Sequence, residues 1–294
     1  MNVLSVCSGV GAADLGLRLA VGRQHRTVLY VEREARNAAV LVARMEDEAL
    51  DRAPIWDDLT TLSGKTLRGS VDLISAGLPC QPYSVAGKGA ADADERALWP
   101  SLVRVVRESE PTFVFLENVP GFLKHSRGIF EELGNLGFQW APPLLQDAHS
   151  FGAPHSRRRL FLLAAHPQRV HLWEQSGGQC RPDGATRAAL TRLHDLEAAQ
   201  SDGGGCEGEW SGWVLDGERE TLRHDADRCD VWCRICWSDW SSESPVLRVA
   251  DGPADRVDRL RAVGNVGAPP VAYAAAFEWL FNQIKGGMDC GEEA

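Results

Sequence analysis

Asn2-Val3-Leu4-Ser5-Val6-Cys7-Ser8-Gly9-Val10-Gly11 is a short apolar run that stops in a glycine loop, and Thr27-Val28-Leu29-Tyr30-Val31-Glu32 is a second run that stops at an acid. Between them Leu15, Leu19 and neighbouring alanines share one side of a helical stretch. Glycines let backbone approach a ligand closely, and the helix that follows presents unpaired N–H groups at its start. Glu32 stands 23 residues after Gly9 at the end of the next strand, where an acid suits hydrogen bonding to ribose hydroxyls. A purely structural turn explains the loop equally well, because the glycines do not spell the dinucleotide fingerprint.

The same alternation continues outward. Val71 to Ala76 reads as a strand ending at Gly77-Leu78-Pro79-Cys80, Thr112 to Leu116 as one ending at Glu117-Asn118, and Leu160 to Ala164 as another. Val271 to Ile284, after Pro269-Pro270, reads as an apolar helix. Strands separated by helices predict an α/β fold with a mostly parallel sheet and helices on both faces. Ligands of such sheets bind beyond the carboxyl ends of the strands. Glu32, Cys80 and Glu117 are all expected there.

Bulk composition sets limits. The chain has 294 residues, 44% of them hydrophobic, and a formal net charge of −10. The apolar runs are short and interrupted, so no membrane span is expected. The first residues read as a strand and not as a signal peptide. An acidic balance does not exclude nucleic acid, which needs only a local basic surface. Arg157-Arg158-Arg159 supply one, with no acid between Phe151 and Trp173. The eight cysteines are irregularly spaced, which favours reduced thiols over a disulfide framework. Six of the ten tryptophans fall between residues 166 and 250, a stretch rich in Gly and Cys. It reads as a small second domain.

Four segments carry chemistry. The first is the glycine loop with Glu32. In Pro79-Cys80-Gln81-Pro82-Tyr83-Ser84 a cysteine is held between prolines at a strand end, whereas an arbitrary cysteine is usually a small buried hydrophobe; a reactive one needs thiolate character and access. Glu117-Asn118-Val119 offers a carboxyl for proton transfer to or from a ring nitrogen, or merely a solvated strand-end acid. In Pro154-His155-Ser156-Arg157-Arg158-Arg159 extended geometry would turn Arg157 and Arg159 one way and Arg158 the other.

As an ordered set these segments resemble the DNA cytosine-C5 methyltransferases, in particular short phage and prophage members. Cys7-Ser8-Gly9-Val10-Gly11 is similar to the cofactor motif, Pro79-Cys80-Gln81-Pro82 to the nucleophile motif, Glu117-Asn118-Val119 to the Glu-Asn-Val motif, and Arg157-x-Arg159 to the paired-arginine motif. Gly264-Asn265-x-Gly267 resembles the closing Gly-Asn motif. Departures are Cys7 for the usual Phe, Ala12 for a second glycine, His155 for Gln, and Gly-Asn-Val-Gly at the close.

The resemblance implies a Rossmann-like fold that uses S-adenosylmethionine, with a catalytic domain over 1–166 and 248–285, a target-recognition domain over 167–247, and a tail over 286–294. It implies that Cys80 attacks cytosine C6, Glu117 contacts N3 and the exocyclic amine, Arg159 holds the base, and Arg157 contacts phosphate or orders the loop. Gln81, Ser84 and Asn118 would border the base. Cys7, Ser8, Gly9, Gly11, Glu32, Asp58, Leu59, Pro79, Leu98 and Asn265 would hold the donor, with Asp58 and Leu59 on the adenine, and Trp99 beside Leu98. Double-stranded DNA is the expected partner of a monomer in the cytoplasm of a prokaryotic or phage-infected cell. A cognate restriction endonuclease is a companion the resemblance allows. An RNA (tRNA) methyltransferase and a non-catalytic DNA-binding relative are the alternatives. No metal is expected. Zinc on His224, Cys229, Cys233 and Cys236 is the competing reading, since Cys-x2-Cys is a common ligand pair, but no second such pair exists.

Overall fold

A computed structural model describes residues 1–79, 98–151, 157–179 and 268–289. Its centre is an eight-stranded sheet in the order β3-β2-β1-β4-β5-β8-β6, with β7 pairing to β8 beside β6. The strands are β1 (Asn2–Val6), β2 (Arg26–Val31), β3 (Ile55–Trp56), β4 (Leu73–Gly77), β5 (Phe113–Asn118), β6 (Gln139–Trp140), β7 (Leu144–Asp147) and β8 (Arg158–Ala165). The first five pair in parallel. β8 runs antiparallel to β5, β6 and β7. The sheet is therefore mostly parallel, as the alternation of strands and helices predicts. The antiparallel edge and the short β3, β6 and β7 leave little trace in hydrophobic period.

Side chains alternate across the sheet. Val3, Leu73, Phe113, Phe115, Phe161 and Leu163 point to one face, with helices α1 (Ala12–Val21), α5 (Pro167–Gln175) and α6 (Pro270–Asp289). Leu4, Val6, Ile74, Val114, Leu116 and Leu162 point to the other. α3 (Trp99–Ser109) and α4 (Ser126–Asn135) cover that second face with Leu102, Val105, Val106, Ile129 and Leu133. α2 (Ala35–Glu46) closes a smaller cluster with Tyr30 and Leu50.

α1 and α6 approach very closely at one point. A Cβ added to Gly16 would stand 2.4 Å from the Pro270 carbonyl oxygen and 2.5 Å from Tyr273 Cβ. Only a glycine admits that contact. The helix expected over 271–284 runs from Pro270 to Asp289, past the expected domain end at 285. α5 lies just beyond an expected boundary. It begins one residue after the end of the catalytic segment expected over 1–166, yet Val170 and Trp173 lie in the same core as Phe113 and Phe281. Trp173 meets Phe113 edge-on at 5.3 Å. No helix among the described residues is long and apolar enough to cross a membrane.

The chain runs β1-β2-β3 toward one edge and then returns to lay β4 and β5 on the other side of β1. The strand order reverses between β1 and β4. This switch point is where open α/β sheets place a ligand crevice.

Candidate active site

A cleft opens at that switch point. Its lining combines the loop after β1 (Cys7, Ser8, Gly9), the first turn of α1 (Ala12, Ala13), the ends of β4 and β5 (Gly77, Glu117) and Tyr273 of α6. The loop is shaped by positive φ at Cys7 (51°), Gly9 (56°) and Gly11 (82°). At Gly11 the glycine is also sterically required, since a Cβ would stand 2.6 Å from Leu50. At Gly9 a Cβ would meet nothing within 4 Å. There the bare backbone faces open space. The first N–H groups of α1 have no intrahelical partners, so the cleft is lined with donors.

Glu32 anchors this loop. Its Oε2 accepts from the Gly9 amide at 2.7 Å and its Oε1 from the Glu34 amide at 2.8 Å, with Asn37 Nδ2 at 3.4 Å. Burial pushes its carboxyl above the usual range against those bonds. A carboxylate has about four acceptor positions, so capacity for ribose hydroxyls remains. Ser8 Oγ turns inward to the Ser5 carbonyl at 3.0 Å. Burial, reinforced by Glu32, pushes the Cys7 thiol up to about 12. Cys7 is thus a neutral wall of the cleft.

Asp58 follows β3. Its carboxylate accepts from the Thr60 amide and hydroxyl, both at 2.8 Å, which hold it below its ordinary value. Leu59, expected against an adenine ring, is instead 2% exposed within the core on the α3 face. Leu98 and Trp99 pack on that same core, and Trp99 Nε1 donates to Glu132 of α4 at 2.9 Å. Both are half-buried there.

At the other end of the cleft β5 delivers Glu117, only 8% exposed. Arg159, on the antiparallel neighbour β8, places Nε 2.8 Å from Glu117 Oε1. Tyr273 hydrogen-bonds the same carboxyl. Burial nevertheless pushes Glu117 above its usual range, with Arg159, Tyr273 and Arg157 pulling it down. Along β8 the basic run divides. Arg158 turns to Asp147 at 3.8 Å while Arg159 reaches Glu117. The Arg157 amide donates to Asp147 Oδ1 at 2.7 Å, fixing the entry to the strand. Asn118 Nδ2 donates to the Leu78 carbonyl at 3.4 Å and ties the end of β5 to the segment entering Pro79.

The glycine loop and Glu117 thus line one cleft, with Glu32 bonded to the loop at Gly9 and Arg159 paired to Glu117. The sequence matches the model of the C-5 cytosine-specific DNA methylases over residues 1–199. The chain belongs to this family. The type II methyltransferase M.NaeI of Lentzea aerocolonigenes is 27% identical over 97% of this chain and 69% of its own length. M.NgoMIV of Neisseria gonorrhoeae is 33% identical over 55% of this chain and 50% of its own. The chain thus spans about half of some curated relatives. The crystal structure of a candidate DNA modification methyltransferase from an E. coli prophage aligns with TM-score 0.47 and 23% identity, covering 58% of this chain and 48% of that one.

Among the expected site residues, Cys7, Ser8, Gly9, Gly11, Glu32, Glu117, Asn118, Arg159 and Pro79 fall at the carboxyl ends of β1, β2, β4 and β5 or on the strand beside them. Asp58 lies at the outer edge strand. Cys80, Gln81, Ser84, Asn265, His224, Cys229, Cys233 and Cys236 lie outside the described residues. Tyr273 is the site residue that sequence reasoning missed. It reads as one more apolar position before Ala274-Ala275-Ala276.

Proposed function

We propose that this protein is a DNA cytosine-C5 methyltransferase that takes its methyl group from S-adenosylmethionine. The observation that carries the reading is the buried Glu117, paired with Arg159 at the end of β5, on the strand neighbouring the one that leads into Cys80. Duplex stacking hides the target ring, so the cytosine must be turned out into the cleft.

The donor site fits its ligand on the chain's own features. Gly9 exposes bare backbone, α1 opens its first turn on the cleft, and Glu32 is fixed by two amides. Gly9 and Gly11 would border the methionine part, Glu32 the ribose and Asp58 the adenine. Bound there, S-adenosylmethionine supplies an electrophilic methyl group.

The chain's residues do the rest. Cys80 adds through sulfur to C6, and the ring electrons move toward C5 and N3. Glu117, whose carboxyl burial holds above its usual range, bonds N3 and stabilises the charge that develops there. Arg159 keeps the carboxyl oriented and Asn118 steadies the approach to Pro79. C5 would take the methyl group as that group's bond to the donor's sulfonium sulfur breaks; a base then removes the C5 proton, the electrons return to expel the thiolate, and the double bond is restored.

Sequencing of 5-methylcytosine in DNA from a methylation-free host expressing the chain tests the activity. Modified cytosines confined to one short motif, and absent with Cys80→Ala, are expected. Unmodified DNA with methylated tRNA would transfer the reading to RNA. Full activity of Cys80→Ala would end the covalent mechanism.

A further inference from the structure

Tyr273 is a fully buried phenol in a neighbourhood that asks for phenylalanine. Its ring lies edge-on to Phe161 at 5.4 Å and to Phe115 at 6.4 Å, with Phe277 on the same helix against Phe115 at 5.4 Å. A phenylalanine would fill the same volume without burying a hydroxyl. A buried hydroxyl costs stability unless it is hydrogen-bonded, and this one has two partners, the Ala268 backbone and the Glu117 carboxyl.

Those partners fix the direction of the proton. The Ala268 backbone can reach the phenol oxygen only as an N–H donor in the interaction that stabilises its charged form. The acceptor side of the oxygen is thereby used, and its single O–H donates to Glu117. Gly16 sets the depth of α6 at this residue, since Tyr273 Cβ would be 2.5 Å from any Cβ there. The ring cannot retreat.

We propose that Tyr273 is a positioning residue for Glu117, donating from α6 opposite Arg159 so that the carboxyl presents one edge to the base. Oε1 is taken by Arg159, and Oε2 stands 3.4 Å from the position a Cβ would occupy on Gly77, beside the segment entering Pro79. Among the described residues, the charged or titratable groups around Glu117 are Arg159 and Arg157 from the β8 side, Tyr273 from α6, and the Cys7 thiol across the cleft. The inference rests on Glu117 being the acid of the proposed reaction.

The test is the pH dependence of single-turnover methylation by the full chain, with saturating donor and duplex DNA. Tyr273→Phe removes a donor that favours the charged carboxylate, so the alkaline limb should move to higher pH. The plateau rate should fall by up to about tenfold, the upper end of the loss for one neutral hydrogen bond, with both KM values within twofold of the parent. Global 3-fluorotyrosine incorporation keeps the ring and strengthens the donor, so it should move the same limb to lower pH. Tyr273→Phe added to Glu117→Gln should cost nothing further. An unmoved limb in both proteins, or a full additional loss in the double variant, would reduce Tyr273 to core packing. If Glu117→Gln itself retains the parent rate, the role of Glu117 fails. If Glu117→Gln is severe and Tyr273→Phe is parent-like, only the role of Tyr273 fails.

Discussion

Two buried glutamates, Glu32 bonded to the loop that lines the cleft and Glu117 on the cleft wall itself, are held in different ways. Glu32 is gripped by backbone amides of Gly9 and Glu34, both close to strand ends. Glu117 is gripped by side chains from two other elements, Arg159 on β8 and Tyr273 on α6. Burial raises both above the ordinary carboxylate range. Amide donors belong to a rigid loop and define a shape, which suits binding. Side-chain donors set how readily a proton is held, which suits chemistry. On this reading the first region holds the donor and the second acts on the base.

The contrast can be broken most directly at Glu117. Glu117→Gln should slow methyl transfer by about 10²–10⁴-fold, the range for a positioned acid, while donor affinity measured by calorimetry stays within twofold. Equal damage to both quantities would erase the division of labour. Arg159→Lys keeps the charge but loses the guanidinium geometry. A rate loss of about 10- to 100-fold is expected from a weakened bond to a buried charge, again with donor binding intact. Glu32→Gln should do the reverse. Donor affinity should weaken about tenfold, the scale of one charge-assisted hydrogen bond, with the saturated rate little changed.

A smaller effect appears in the stability of the fold. Because the folded state raises Glu117, its contribution to stability is fully present below the unfolded carboxyl value and is lost as pH rises through the folded one. Glu117→Gln lacks that loss. Its melting temperature should gain on the parent by a few degrees across that window, about what 1 kcal/mol gives a domain of this size. A difference constant with pH would mean that Glu117 is not raised in the folded protein.

The two regions also differ in what the sequence discloses. Glu32 and Glu117 are readable because each ends an apolar strand, and a strand end in an α/β sheet has a known place. The alternation of Arg158 and Arg159 follows from the period of an extended chain. Tyr273 is not readable in that way. Its role depends on how deeply α6 sits, which Gly16 decides more than 250 positions earlier in the chain. Leu59 presents the opposite case. Its motif suggests a ligand, but an apolar side chain beside the α3 core is more stable buried. The antiparallel course of β8 has no local signature, since an apolar run reads alike in either direction.

The helix α1 has a further consequence as a mounting rail. Gln179, the last described residue before position 180, donates its amide to Gln24 Oε1, and Gly177 accepts from Gln24 Nε2. The chain is next described at Ala268, two residues before Pro270 meets Gly16. α5 and α6 are moreover clipped together by Lys285–Glu174 at 2.6 Å and by Trp173 against Phe281. Positions 179 and 268 are thus fastened along the same short helix and its end. A scaffold with both attachment points clamped is suited to cassette exchange: residues 180–247, which leave Asn265 in place, replaced by a foreign insert should leave the melting transition of the sheet and its donor affinity unchanged, while the choice of DNA site, which the resemblance lodges in this stretch, is expected to change.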